Sequence, residues 1–411
     1  MEPISIFQNK RIVLGICGGI AAYKVAELAS KLAQAGALVD CILTGSATQF
    51  VTPLTFASLT GHKAYTDADL WDASAHVPHV SLGTQADLVV IAPATANTLA
   101  KLAQGLADNL LTVTALAARN PVLVVPAMDA GMFEHPATQS NLVTLRERGV
   151  IIVGPERGRM ASGLIGLGRM TEPADILGHI RLTLGRNGSL AGRHIVVTAG
   201  GTLEPLDPVR YVGNRSSGRQ GFALAQAALD RGAAVTLIAG ATANLSTPIG
   251  ATRVDVMTAE QMQQAVLQAC RDADALAMAA AVADFRSLQV AEQKIKKTAD
   301  TNSLTLTLER TPDILAAVHA ARPSLPHLQA VVGFAAETQD LIANAQVKLT
   351  AKGLDLIVAN DVSALGAGFV VDTNRVTIID RGGRVEALPL MSKVTVAEAV
   401  MDRVAALLVK A

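Results

Sequence analysis

Apolar residues along this chain come in short runs separated by helical repeats. Arg11–Ile16, Leu38–Leu43, Leu88–Ala92 and Val122–Val125 are runs of the buried-strand type. Between the first two, Val25, Leu28, Ala29, Leu32 and Ala33 recur at the spacing of one helical face. Strand, helix, strand in this order predicts parallel pairing, because a parallel neighbour needs a crossover and the helix supplies it. Strands that are apolar throughout predict cover on both faces of the sheet. The rhythm lapses at Arg186-Asn187-Gly188-Ser189-Leu190-Ala191-Gly192, a polar, glycine-rich stretch that reads as a linker. It resumes with Ile195–Thr198, Val235–Ala239, Leu276–Ala280, Val331–Ala335 and Leu356–Ala359. Leu304–Leu308 and Val376–Asp380 alternate and are expected as antiparallel edges. The expected fold class is α/β. It has two Rossmann-like domains, each a mainly parallel sheet with helices on both faces. The expected boundaries are residues 1–188 and 189–411.

Composition narrows the class. Of 411 residues, 50% are hydrophobic and 17% charged, which supports large cores and excludes a disordered chain. No uncharged apolar run reaches the roughly 18–20 residues that a spanning helix needs, so no membrane partner is expected. Basic and acidic residues balance at 35 each, which gives no electrostatic footprint for nucleic acid. Three cysteines, Cys17, Cys41 and Cys270, do not make a disulfide framework in a chain of this length. Met1 to Lys10 lacks a signal-peptide pattern, and the expected compartment is the cytoplasm.

Three loops follow strands in the first half. Gly15-Ile16-Cys17-Gly18-Gly19-Ile20-Ala21-Ala22-Tyr23-Lys24 ends a strand and opens a helix, where glycines admit an anion to unpaired N–H groups. It lacks the G-x-G-x-x-G spacing, which disfavours a dinucleotide and a nicotinamide dehydrogenase. Thr44–Thr48 and Ala92–Thr98 also lie at strand ends, where ligands of open α/β sheets bind. His79, in Val77-Pro78-His79-Val80, carries an imidazole able to act as a base near neutral pH. His76 is the weaker candidate. In the second half, Thr198-Ala199-Gly200-Gly201-Thr202 and Asn214-Arg215-Ser216-Ser217-Gly218 offer backbone donors near helix starts. Ala279-Ala280-Ala281-Val282-Ala283-Asp284 places a carboxylate after a buried strand. Lys294, Lys296 and Lys297 form a basic run that, taken alone, reads as a solvated face. Lys348 and Lys352, four apart on an expected helix, can face one ligand.

Together these segments resemble the bacterial bifunctional phosphopantothenoylcysteine decarboxylase/phosphopantothenate–cysteine ligases of coenzyme A biosynthesis. The resemblance covers nearly all of the chain. It implies two activities: CTP-dependent ligation of 4'-phosphopantothenate to cysteine through an acyl-cytidylate, and FMN-dependent decarboxylation of the product to 4'-phosphopantetheine. For the first half it implies FMN contacts from Gly18, Gly19, Ile20, Ala21, Ser46, Pro93, Ala94, Thr95, Asn97 and Met128. His79 matches the family's active-site histidine. Pro126-Ala127-Met128-Asp129-Ala130-Gly131-Met132-Phe133 matches its substrate-recognition motif, with Asp129 where asparagine is usual. Met160-Ala161-Ser162-Gly163 to Met170 matches its substrate flap, with Ser162 where the proton-donating cysteine is usual. Three arrangements compete to replace that thiol. A protonated Asp129 supplies the proton; Cys17 reaches the flavin; or the first half is a scaffold or interaction module and only the ligase works.

For the second half the resemblance implies CTP contacts from Gly200, Gly201, Met278, Ala279, Ala280, Asp284, Lys294, Pro312, Asp313, Ile314, Leu315, Phe334, Lys348 and Lys352. Asp284 is expected on the cytosine or the ribose. Lys294 is expected to neutralise the triphosphate, with Mg2+ accompanying CTP. Asn214 matches the asparagine that turns over the acyl-nucleotide. Arg210, in Asp207-Pro208-Val209-Arg210, is expected on the phosphate of phosphopantothenate; Leu203 stands where some relatives have arginine. The resemblance also implies a homo-oligomer, with trimers of the first half and dimers of the second. The expected partners are the three small substrates.

Overall fold

The computed structural model describes residues 3–71, 77–161, 163–242, 244–296, 303–337, 340–361 and 371–409. It divides into two units, Met1–Leu184 and Gly185–Ala411.

Among the described residues the first unit holds six parallel strands. Their spatial order is Ala64–Tyr65, Leu38–Leu43, Arg11–Ile16, Leu88–Ala94, Val122–Pro126 and Ile151–Ile152. The four apolar runs expected as strands all form. They are buried along nearly their whole length, because helices cover both faces. Ala22–Gln34 buries Val25, Leu28, Ala29 and Leu32, the stripe read from the sequence. The two outer strands are two residues each; Ala64–Tyr65 carries no apolar run, whereas Ile151–Ile152 sits in Val150–Val153, an apolar run between glycines that was not among the expected strands. Strand order reverses between Arg11–Ile16 and Leu88–Ala94. That reversal opens a crevice at the carboxyl ends of both strands.

The second unit repeats the design with an eight-stranded sheet. Six parallel strands run in the order Ala251–Asp255, Ala234–Ala239, His194–Ala199, Ala275–Met278, Ala330–Glu337 and Leu356–Asp361. Val376–Asp380 and Val385–Ala387 continue it antiparallel. Val376–Asp380 is thus internal and not the expected edge; Val385–Ala387 takes that place. Leu304–Leu308 also departs from expectation. Leu308–Arg310 pairs with Phe285–Ser287 in a separate two-stranded arm, and Leu304 to Thr307 lie outside any strand. Its alternation reflects exposed leucines on an arm, not a half-buried sheet edge. The reversal here lies between His194–Ala199 and Ala275–Met278.

The stretch read as a linker is not loose. Leu190 is buried and its N–H donates to the Arg231 carbonyl at 2.8 Å. A side chain at Gly188 would meet the Arg231 backbone at 2.6–2.7 Å. Gly188 therefore serves close packing within the second unit, while Gly192, at φ +75°, turns the chain in open space.

Candidate functional site

In the first unit, a cleft of about 550 Å³ opens at the carboxyl ends of the strands. It gathers Gly18, Gly19, Ile20, Ala21, Thr95, Met128 and Asp129 from the expected set. The loop before helix Ala22–Gln34 forms one wall. A Cβ on Gly18 would come within 2.7 Å of the Ser46 backbone, while Gly19 has open space in front of it. Gly18 thus lets two loops touch, and Gly19 leaves room for a ligand group. Thr95 caps helix Ala96–Gln104 by accepting from Thr98 N–H at 3.3 Å. A phosphate-bearing cofactor fits this combination of open glycine backbone and helix start.

The opposite wall is the hairpin Glu156–Arg159 and Ile165–Arg169, the expected flap. It is clamped to the recognition motif. Met128 N–H donates to the Gly168 carbonyl at 3.0 Å, and a Cβ on Gly166 would meet that of Ala130 at 2.7 Å. Asp129 starts the short helix Ala130–Glu134 by accepting from Gly131 N–H at 3.1 Å, and its side chain lines the cleft. Tyr23, Lys24, Arg159 and Arg169 line it too and were not singled out in the sequence. Lys24 donates to Glu172 at 2.8 Å, and Arg169 also pairs with Glu172. The Lys24 bond, with help from Arg169 and against a smaller burial effect, holds the Glu172 carboxyl below its ordinary range. These charges sit on a helix start and a hairpin, and only the fold brings them together.

Several expected residues lie elsewhere. Pro93 and Ala94 are buried at the strand end, and Asn97 is exposed on the helix. Ser46 is exposed beside Gly18. His79 does not line the cleft. It stands on helix Pro78–Gln85, with Nδ1 buried and without a hydrogen-bond partner. That helix packs on Leu110–Ala117, where a Cβ on Gly83 would meet the Thr114 carbonyl at 2.6 Å. Ser162 and His76 lie outside the described residues. Cys17 is 1% exposed, and its sulfur accepts from Thr98 Oγ1 at 3.2 Å. Burial pushes its thiol up to about 11 despite that bond. Cys17 is therefore packed away from the cleft, and the arrangement in which it serves the flavin is not supported.

In the second unit, a cleft of about 610 Å³ lies between the strand ends and two helices. It brings together Met278, Ala280, Asp284, Pro312, Asp313, Ile314, Leu315, Phe334, Lys348 and Lys352, expected from four separate stretches. Asp313 caps helix Ile314–Ala321, accepting from Ala316 N–H at 3.0 Å, and pairs with Lys352. Burial pushes the Asp313 carboxyl up, but the Lys352 bond and the cap outweigh it and hold it low. Lys348 lies one turn earlier on helix Leu341–Ala351. Thr311 closes the rim, its N–H donating to the Asp284 carbonyl at 3.0 Å. Ala280 and Phe334 also line a small adjoining cleft with Ala279, Ser216, Ser217 and Gly218 at the start of helix Arg219–Leu229. Asn360, Asn374, Gln220 and Lys393 wall it. Asn374 donates to Gln220 at 2.9 Å, and Gln220 to the Lys393 carbonyl at 3.1 Å. Gln220, Asn374 and Lys393, single polar residues far apart in the chain, carry no sequence signal for such a wall.

Gly200 and Gly201 are buried behind these clefts. Their carbonyls accept from Ala281 and Ala241 at 2.8 and 2.9 Å, which joins three strand-end loops. Gly200 has φ +82°, and a Cβ there would meet Thr242. Asn214 is exposed and donates to the Val282 carbonyl at 2.9 Å. Lys294 is exposed and lies off the larger cleft's lining, next to Ile295, whose carbonyl accepts from Arg210 at 2.9 Å. Lys297 lies outside the described residues.

The family model described as Flavoprotein matches residues 5–185. The one described as DNA/pantothenate metabolism flavoprotein C-terminal domain matches residues 190–408. The Coenzyme A biosynthesis bifunctional protein CoaBC of Bacillus subtilis is 44% identical over 405 residues, covering 98% of each chain. The protein of that name from Mycobacterium tuberculosis is 47% identical and covers 96% of each. The Vibrio cholerae one is 45% identical, covering 96% of this chain and 97% of its own. No helix among the described residues is long and apolar enough to cross a membrane. With both halves matched and relatives aligned end to end, the chain belongs to the family of bifunctional coenzyme A biosynthesis proteins.

Proposed function

We propose that the second unit joins 4'-phosphopantothenate to cysteine at the expense of CTP, and that the first removes the cysteinyl carboxylate with FMN. One observation carries the ligase reading. A single cleft collects ten of the expected nucleotide contacts, and two lysines and an aspartate there can read a charged, polar ligand. The substrate carboxylate attacks the α-phosphorus, pyrophosphate leaves, and the cysteine amine then displaces CMP from the acyl carbon. Phe334 offers an aromatic face to the base. Lys348 and Lys352 serve the nucleotide, and Lys294 the triphosphate. Arg210 takes the substrate phosphate with a planar guanidinium. Asn214 supports turnover of the cytidylate. Among the described residues no three His, Cys, Asp or Glu side chains gather as a metal cage. Mg2+ would accordingly enter with the triphosphate, held largely by phosphate oxygens and water.

In the first unit the Gly18–Ala21 loop, Thr95 and Met128 would hold FMN. When bound, FMN supplies a two-electron oxidation of the cysteinyl thiol end and returns those electrons after CO2 has left. Lys24, Arg159 and Arg169 draw an anionic substrate into the cleft. Asp129 is the carboxylic acid among the described lining residues, and we assign it the final proton delivery. His79 is assigned the base. Beside it Trp71, Val77 and Val80 are 86%, 55% and 45% exposed, a surface suited to cover by a second copy. The exposed arm residues Phe285, Leu288 and Leu308 favour a dimer of the second unit in the same way.

The test is incubation with phosphopantothenate, cysteine, CTP and Mg2+, with product masses followed over time. The amide should appear first and phosphopantetheine second. Amide that accumulates without CO2 release would leave the ligase and remove the decarboxylase. No amide with CTP would remove the ligase.

A further inference from the structure

Asp207-Pro208-Val209-Arg210 and Lys294-Ile295-Lys296 are separate in sequence, with Asp207 and Ile295 88 residues apart. The fold stitches them together. The Asp207 side chain is fully buried at the junction, and its two carboxylate oxygens have different duties. Oδ1 accepts from the backbone N–H groups of Val209 and Arg210, both at 2.8 Å, and so shapes the turn. Oδ2 accepts from the backbone N–H of Ile295 at 3.1 Å. Arg210 Nη2 donates back to the Ile295 carbonyl at 2.9 Å. One step further out, Ala291 N–H donates to the Leu206 carbonyl at 3.0 Å. Both backbone groups of Ile295 are therefore committed to the Asp207–Arg210 turn. This fixes the direction in which the neighbouring Lys294 leaves the chain.

A buried carboxylate that accepts three backbone N–H groups is a strong, charge-assisted junction. Its three donors offset the cost of burial, and the carboxyl is held below its ordinary range. Arg210 and Lys294 are the two cations that the ligase reading gives to different ligands, the substrate phosphate and the triphosphate. Lys294 is exposed and Arg210 half-buried, yet the backbone beneath them is shared. Holding two charged groups in place before the ligands arrive lowers the ordering cost of each binding event.

We infer that Asp207 is a positioning residue for the ligase reaction, joining Arg210 and Lys294 through Ile295 into one anion-binding unit. This rests on the ligase reading above. It goes beyond it in making the two phosphate-bearing ligands interdependent: disturbing the junction weakens both.

The atom assignments supply the test. Asp207→Asn keeps an oxygen for the Val209 and Arg210 N–H groups and turns an NH2 toward the Ile295 N–H, donor against donor. Ile295→Pro removes the same N–H from the other side without touching Asp207. Both are measured in the full chain with FMN, CTP, phosphopantothenate, cysteine and Mg2+. In each variant, KM for CTP and KM for phosphopantothenate should rise together, about tenfold or more, the size of one charge-assisted bond. Conversion of cytidylate once formed should stay within about twofold of wild type, and so should decarboxylation by the other half. A merely structural role would slow all steps alike. The double variant should be no worse than the poorer single variant. Should one variant fail to fold, the other still decides. KM values unchanged in a folded variant, a rise for one ligand only, or additive losses in the double variant would overturn the inference. A wild-type chain that forms no amide would instead overturn the ligase reading beneath it.

Discussion

The two clefts sit at equivalent places, each beside a strand-order reversal, yet they are differently complete. The second-unit cleft closes within one unit. Its base-side residues come from strand ends and helix starts, and Lys352 and Asp313 already pair across it. The first-unit cleft is assembled in part. Its loop wall, Thr95, Met128 and Asp129 converge, but His79 stands on a helix outside it with a buried, unpartnered nitrogen. A buried polar atom without a partner costs roughly 1–3 kcal/mol. The contrast teaches where each site draws its parts. One is made by the crevice of a sheet. The other has a hairpin wall, and the role proposed for His79 would add a helix outside the cleft.

The largest effects are expected where charge is lost from the ligase. Lys294→Gln should lower CMP formation by about 10²–10³-fold, the scale of one lost transition-state cation, with the fold intact. Asn214→Asp should let the cytidylate form but not turn over, visible as a trapped mass. Wild-type-like CMP release from Lys294→Gln would return Lys294 to the solvated face and leave the second cleft complete without it. CTP should also outperform ATP; equal yields at low nucleotide concentration would remove base reading by this cleft.

Next in size is the first cleft's acid. Asp129→Ala should stall after CO2 loss, with completion slowed by about 10²-fold or more, as for other positioned acids. The pair Asp129→Asn with Ser162→Cys should restore completion. Full conversion to phosphopantetheine by Asp129→Ala would remove Asp129 as the donor and deepen the contrast, since no other carboxylic acid lines the cleft among its described residues.

What could be read from the sequence follows the same division. Apolar runs placed the long parallel strands of both sheets, because strands covered on both faces must be apolar throughout. The Asp284, Pro312–Leu315 and Lys348/Lys352 segments, all quoted from the sequence, converge on the second cleft. Two things were not legible. Short outer strands such as Ala64–Tyr65 have no periodicity to detect. Arg159, placed by hairpin geometry, carries no pattern of its own, and Arg169 and Asp207 fall inside matched segments that do not single them out. Gly200 and Gly201 illustrate a limit of motif reading. A glycine pair after a strand marks close approach, and here what approaches is the chain's own loops.

A smaller effect is expected from Lys352→Met. KM for CTP should rise about tenfold, the scale of one charged contact, while stability should change by less than about 1 kcal/mol, because the pair is partly exposed. The pair also has a pH sign. Asp313 is held below its ordinary range, so its contribution is present above the unfolded carboxylate value. It is lost as pH falls through the depressed one. The pair's share of folding stability, read by thermal melts, should therefore hold from neutral pH down to about 4, the ordinary carboxylate range. A loss already complete by pH 6 would point to another group.

The smallest expected effect is a reaction that fails to occur, and it separates Asp129 in the first cleft from Cys17 packed behind it as proton donor. Cys17, Cys41 and Cys270 are all free and buried. For Cys17, burial raises the thiol to about 11, with Thr98 and a backbone donor opposing. Thiolate is the reactive form, so at pH 8 native Cys17 should be both inaccessible and protonated. Its raised pKa contributes to stability below the unfolded thiol range near 8.5, and that contribution fades as pH rises from there through 11. A disulfide reagent at pH 8 should accordingly titrate almost no thiol in the folded chain and all three in denaturant. Peptide mapping after brief labelling identifies which cysteine reacts first. Rapid labelling of Cys17 in the folded chain, with protection on adding FMN, would place a thiol at the flavin after all. Decarboxylation would then no longer need Asp129, and the first cleft would be as self-contained as the second.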